Sequence, residues 1–264
     1  MDLGLHGKNA LITGGSVGIG LAVAESLASE GVNLLLCARN EERVRAEASR
    51  IAEQARVRAL GVKADVTSTA DIAVLIDTAN KEFGTIDILI NNAGTGSSET
   101  IMEADDERWQ FYWDLHVMAA IRVSRGTVPL MRKAGGGVIL NTASICAKQP
   151  LGYEPIYNVT KAALVMFGKC LANELVTDNI RVNTINPGLI LTPDWRKTAG
   201  ILTEGTSRSV DDYLDEVAKE HAAIERFASP EELAHFYTFM CSDKATYCVG
   251  STYYVDGGML KTVE

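Results

Sequence analysis

Tyr157 and Lys161 stand four residues apart in the segment YNVTK. On a helix that spacing stacks both side chains on one face, one turn apart. A phenol with a pKa of ~10 is a poor base at neutral pH. A neighbouring ammonium favours the phenolate and makes it a better one. Ser144 precedes Tyr157 by 13 residues and follows the apolar run GVILN. It is therefore expected at the carboxyl end of a strand, before a loop that can fold back towards the tyrosine. A hydroxyl there can hold a substrate carbonyl while the phenol delivers or removes a proton. Y-x-x-x-K alone is a common helix pattern; the serine turns the pair into a candidate for proton transfer at a carbonyl oxygen.

A second cluster lies near the start: Thr13-Gly14-Gly15-Ser16-Val17-Gly18-Ile19-Gly20. Glycine lets backbone approach a ligand closely, and the helix that follows presents unpaired N–H groups to a pyrophosphate. A glycine-rich turn can also be a plain tight turn. Its place between an apolar strand and a helix favours dinucleotide binding. The next strand ends at Cys37-Ala38-Arg39. Ala38 stands 18 positions beyond Gly20, about where an acid would bond the adenosine ribose 2′-hydroxyl. Alanine cannot, whereas Arg39 beside it can meet a 2′-phosphate. NADP(H) is favoured and NAD(H) stays possible, since Arg39 could equally be an exposed loop residue.

These residues need a scaffold that brings strand ends together. Apolar runs at Asn9–Thr13, Val32–Cys37, Val57–Val66, Ile86–Asn91, Gly135–Ala143, Ile180–Asn186 and Ser251–Val255 read as strands. Helical patterns fall between them at Gly18–Glu30, Glu41–Ala55, Thr69–Phe83, Glu103–Lys133, Ile156–Asp178 and Pro230–Cys241. Strict alternation means βαβ units in an α/β, doubly wound, Rossmann-type parallel sheet of seven strands with helices on both faces. No linker, repeat or low-complexity tract divides the chain, so residues 1–264 read as one domain. The less regular stretch 193–225 is long for a connection and is expected to act as a substrate lid.

Composition narrows the function. The chain has 264 residues, 47% hydrophobic, with a formal charge of −9. An acidic balance argues against broad nucleic-acid binding. No apolar run reaches about 18 residues, so no membrane span is expected, and the start shows no secretory pattern. Five cysteines without C-x-x-C or Cys/His clustering argue against a disulfide framework or a metal site. They point to a reducing, cytoplasmic setting.

Taken in order, the motifs resemble the single-domain short-chain dehydrogenase/reductase family over almost the whole chain. They are TGGSVGIG (13–20), Asp65-Val66, NNAG (91–94), Ser144, YNVTK (157–161), RVNTINPG (181–188), Thr192 and VDGG (255–258). The resemblance implies that Tyr157 is the acid/base, that Lys161 also bonds the nicotinamide ribose, and that Ser144 orients the substrate oxygen. It implies cofactor contacts from Gly14, Ser16, Val17, Gly18, Ile19, Gly20 and Arg39. Asp65 and Val66 flank adenine, Asn92, Ala93 and Gly94 support the centre, and Pro187, Gly188, Ile190 and Thr192 hold the carboxamide. It further implies a homotetramer or homodimer built on the helices at 103–133 and 156–178.

One departure stands out. Where similar enzymes carry an asparagine as fourth catalytic member, this chain has His116, 28 residues before Ser144. A histidine there could replace the asparagine's hydrogen bonds, link Lys161 to solvent through water, and titrate near neutrality; it could equally be a satisfied structural residue. Cys146, Gln149, Tyr153, Leu189 and Trp195 are the candidate pocket residues for a small carbonyl or alcohol substrate. For each, ordinary packing is an equal reading. The favoured function is an NADP(H)-dependent oxidoreductase acting on a carbonyl or secondary alcohol. The alternatives are a catalytically silent cofactor-sensing or structural member of the fold, and a 3-oxoacyl-thioester reductase.

Overall fold

The computed structural model describes residues 2–152 and 154–262. Its seven strands are β1 (Asn9–Thr13), β2 (Asn33–Ala38), β3 (Ala59–Lys63), β4 (Ile88–Asn91), β5 (Gly137–Thr142), β6 (Ile180–Pro187) and β7 (Thr252–Val255). All pairings are parallel, in the order β3-β2-β1-β4-β5-β6-β7. The central strands are buried almost throughout, while the edge strands β3 and β7 are half-buried, with Lys63 exposed at the end of β3. Continuous apolar runs therefore mark the middle of the sheet, where helices cover both faces.

The helices are α1 (Gly18–Ser29), α2 (Glu41–Ala55), α3 (Thr69–Phe83), α4 (Asp106–Trp113), α5 (Ala119–Ala134), α6 (Pro155–Leu175), α7 (Pro193–Thr203), α8 (Val210–His221) and α9 (Pro230–Cys241). One core joins Ile12, Leu34, Leu36 and Ile185 to α1, α2 and α9 through Val23, Leu27, Val44, Leu233 and Tyr237. The opposite core joins Leu11, Leu35, Leu89 and Ile139 to α3, α5 and α6 through Leu75, Val123, Met131 and Leu175. Side chains that alternate along each strand supply both layers.

Two expectations change. The helix expected over 103–133 is divided into α4 and α5 by a π-turn, Asp114–Met118, in which the Ala119 N–H reaches back five residues to the Asp114 carbonyl. The stretch 193–225 is better ordered than its pattern suggested. Pro193 opens α7, and Ser209 caps α8 by accepting from the Asp212 N–H at 3.0 Å.

The strand order reverses between β1 and β4. In open α/β sheets the ligand crevice lies at that switch point, beyond the carboxyl ends of the strands. Thr13 Oγ1 sews the crevice together, donating to the Ile90 carbonyl and accepting from the N–H groups of Asn92 and Ala93 at 3.0 and 3.1 Å.

Candidate active site

The cofactor side starts at the glycine turn. No described side chain caps α1, and its first turn carries no acid, so its first N–H groups are left for an anion. By contrast α2, α3, α8 and α9 are capped by Asn40, Ser68, Ser209 and Ser229. A Cβ on Gly20 would lie 2.3 Å from the Gly14 carbonyl oxygen, so only glycine permits this turn. Ser16 is buried and Val17 exposed, with Gly18 and Ile19 between. Arg39 stands exposed at the end of β2, and Lys63 of β3 is in register with Ala38. Asp65 accepts from the Thr67 N–H and hydroxyl at 2.9 and 2.7 Å, holding the turn before the buried Val66. Thr192 packs against the glycine turn: a Cβ on Gly18 would meet its Cγ2 at 3.3 Å. Pro187, Gly188 and Ile190 lead from β6 to it. These features fit a dinucleotide laid across the switch point.

The catalytic candidates converge at the ends of β5 and α6. Lys161 Nζ is buried and donates to the Thr142 carbonyl at 2.8 Å. It also lies 5.3 Å from the Tyr157 ring centroid. Burial lowers the lysine's pKa to about 8, against the opposing influence of Cys146 and Glu154, so the ammonium predominates at neutral pH. Ser144 Oγ accepts from the Cys146 N–H at 3.2 Å. The loop between serine and tyrosine does fold back: Asn158 bonds both the N–H and the carbonyl of Leu151, at 3.3 and 2.7 Å.

His116 is almost fully buried. Its Nδ1 lies 2.8 Å from Thr160 Oγ1, and its Nε2 accepts from the Thr95 N–H at 3.4 Å. The ring meets Tyr157 edge to face, with centroids 5.3 Å apart. Burial first, and the Lys161 charge second, push its pKa down to about 2. Burial thus favours a neutral imidazole at physiological pH, which goes against a titration near neutrality.

The pocket candidates divide. Cys146, Leu189 and Trp195 gather with Tyr157, Ala218 of α8, Phe227 and Met259 in one apolar cluster. Trp195 stacks edge to face on Phe227 at 5.1 Å. Gln149 has both ends of its amide on the C-terminal segment, donating to the Met259 carbonyl at 3.5 Å and accepting from the Lys261 N–H at 3.1 Å. Tyr153 lies outside the described residues.

Glu154 is the residue that sequence reasoning missed. It is 9% exposed, at the N-terminal end of α6. Its Oε1 accepts from the Cys146 thiol at 3.2 Å. Burial raises its pKa to about 6, and burial together with this carboxylate pushes the thiol up to about 12. Cys146 is therefore an inert thiol. Glu154 is a buried carboxylate bonded to Cys146, at the edge of the apolar cluster that holds Cys146 and Tyr157. Its only sequence signal is an acid three places before the tyrosine.

An ordered set of strand-end residues around a dinucleotide crevice defines a Rossmann-type oxidoreductase site. The family model described as enoyl-(acyl carrier protein) reductase matches residues 14–260. The chain belongs to the short-chain dehydrogenase/reductase family and is an oxidoreductase. It is 60% identical to L-sorbose reductase from Gluconobacter frateurii, whose structure was solved with NADPH and L-sorbose; the match covers 100% of both chains with a TM-score of 0.98. It is 33% identical to the uncharacterized oxidoreductase YvrD of Bacillus subtilis, over 100% of both. It is 37% identical to dehydrogenase/reductase SDR family member 4 of Bos taurus, over 97% of this chain and 88% of the relative. Among the described residues no helix is long and apolar enough to cross a membrane.

Proposed function

We propose that this protein is an NADP(H)-dependent reductase that interconverts a ketone and a secondary alcohol on a small polyhydroxylated substrate of the ketose class, in the cytoplasm. The observation that carries this reading is Glu154: a buried carboxylate bonded to Cys146, at the edge of the apolar cluster that also holds Tyr157. A carboxylate is an acceptor for several hydroxyl donors, and it would be costly to bury beside an acyl chain. The likeness to an enzyme crystallised with NADPH and L-sorbose supports the same class.

NADP(H), when bound, supplies or takes up the hydride. The uncapped turn at α1 binds its pyrophosphate, and Arg39 its 2′-phosphate. Ser144 orients the substrate oxygen. Tyr157 gives that oxygen its proton in reduction and removes it in oxidation, and Lys161 holds the tyrosine's charge. Glu154 fixes the remaining hydroxyls, while α7 and α8 cover the pocket as a lid. The test is turnover with NADPH and with NADH across ketoses, simple ketones and a 3-oxoacyl thioester. Preference for ketoses with NADPH is expected. Equal turnover of simple ketones, preference for the thioester, or no turnover at all would refute the assignment.

A further inference from the structure

The helix that carries Tyr157 is not capped by its own N-terminal residue. Glu154 holds the N-cap position of α6, yet its side chain accepts no bond from the helix. The carboxylate is turned to the Cys146 thiol instead. An N-cap side chain ordinarily accepts from the N–H of the second or third helical residue. With Pro155 first in α6, the third is Tyr157. The acceptor for its N–H comes from another part of the chain. Ser97 Oγ, 60 residues away in sequence, accepts from the Tyr157 N–H at 3.3 Å. Ser229, which caps α9 in the usual way, accepts from the Glu232 N–H at 3.3 Å as well.

The loop that presents Ser97 is fastened on both sides of it. Before the serine, the Tyr112 hydroxyl of α4 donates to the Gly96 carbonyl at 2.6 Å. After it, Glu99 is ion-paired with Arg108 of α4, and that guanidinium also donates to the Tyr112 hydroxyl at 3.3 Å. Asp105 caps α4 by accepting from the Arg108 N–H at 2.8 Å. The same loop runs beside Glu154: a Cβ on Gly96 would stand 3.5 Å from Oε2, an ordinary contact. One helix thus holds the serine over the start of the other.

We propose that Ser97 is a positioning residue: from the loop after β4 it caps the catalytic helix at the N–H of Tyr157 itself. The role rests on the reading of Tyr157 as the acid/base. It divides between two residues what one N-cap side chain would otherwise do, so that Glu154 keeps its carboxylate on Cys146 while the first turn of α6 stays closed. Lys161 lies one turn further in, anchored to the Thr142 carbonyl, and does not depend on the cap. Loss of Ser97 therefore disturbs the phenol and spares the lysine.

The experiment compares Ser97→Ala and Ser97→Thr with the parent at saturating NADPH, and follows amide hydrogen exchange of the first turn of α6 by NMR. Ser97→Ala should speed exchange at the Tyr157 amide about 3- to 30-fold, the range that loss of a cap gives. Its kcat should fall about tenfold or more, with KM and NADPH affinity within about twofold of the parent. Ser97→Thr retains a capping hydroxyl and should restore both the protection and most of the rate. Parental exchange at Tyr157 in Ser97→Ala would overturn the cap. So would a raised KM with kcat preserved, the mark of a serine that binds substrate, or a threonine variant as impaired as the alanine one. Parental turnover in Tyr157→Phe would instead overturn the acid/base assignment and leave the exchange result standing.

Discussion

Cys146 and Glu154 share a hydrogen bond, thiol to carboxylate at 3.2 Å, and Cys146 packs in the apolar cluster that includes Tyr157. The thiol is the donor, and burial keeps it protonated. The carboxylate is thereby held in place with acceptor capacity left over for a ligand.

Glu154→Gln keeps the shape and removes the charge. A hydrogen bond to a charged group contributes roughly 1.5–3 kcal/mol, so KM for a ketose should rise about 10- to 100-fold with a smaller change in kcat. With the Glu154 pKa near 6, the parent should bind substrate less well as pH falls through that value. The variant should lack this acidic limb. Superimposable pH profiles of kcat/KM would exclude Glu154 from substrate binding.

Tyr157→Phe removes the proton-transfer group and retains the ring. Turnover should fall ~100-fold or more, while NADPH affinity, read by fluorescence titration, stays close to the parent.

Arg39→Ala should weaken NADPH by about tenfold or more through the loss of a charged hydrogen bond, and should leave NADH nearly unchanged. Calorimetric titration with both cofactors decides this; equal losses would assign the 2′-phosphate contact elsewhere.

His116 makes acid stability measurable. Its imidazole stays neutral in the fold down to about pH 2, whereas its ordinary value is 6.5. Below 6.5 the unfolded chain binds a proton that the folded one refuses, so stability falls with acid. His116→Asn lacks this loss. Between pH 6.5 and 5.5 the gap between the two proteins should move by about 1 kcal/mol in the variant's favour, as read by urea unfolding. Parallel curves would mean that the imidazole titrates in the native state.

Assembly is expected as a dimer or tetramer, two or four times 28.5 kDa. Leu115, Met118, Ile121, Ala163, Phe167 and Leu171 are all half-buried in one chain, and Met166 is 65% exposed. Met166→Glu should lower the mass seen by light scattering if α6 forms the contact. A monomer across micromolar concentrations would count against assembly.

The sheet was legible because its central strands are buried on both faces and carry unbroken apolar runs. The edge strand expected over 57–66 shrank to Ala59–Lys63, the five residues in register with Leu34–Ala38 of β2. The π-turn left no mark: WDLHVMAA keeps a helical pattern whether the backbone closes four or five residues back. Ser144, Tyr157 and Lys161 could be found by spacing alone. Glu154 could not, because acids at helix starts usually face water, and its burial depends on the distant loop that packs Gly96 against it. The helices α7 and α8 were more readable than the expectation allowed; Pro193 and the pair Ser209 and Asp212 are ordinary start signals.

The strand order also sets a sequence of events during synthesis. Once β4 has been made, β1 has both of its neighbours, and the crevice that takes the dinucleotide has its two walls. Ser144, Glu154, Tyr157 and Lys161 have not yet been translated. Conversely, the strap made by Met259 and Lys261 on Gln149 is among the last contacts available. A chain truncated before residue 137 lacks every group assigned to proton transfer, however complete its nucleotide half.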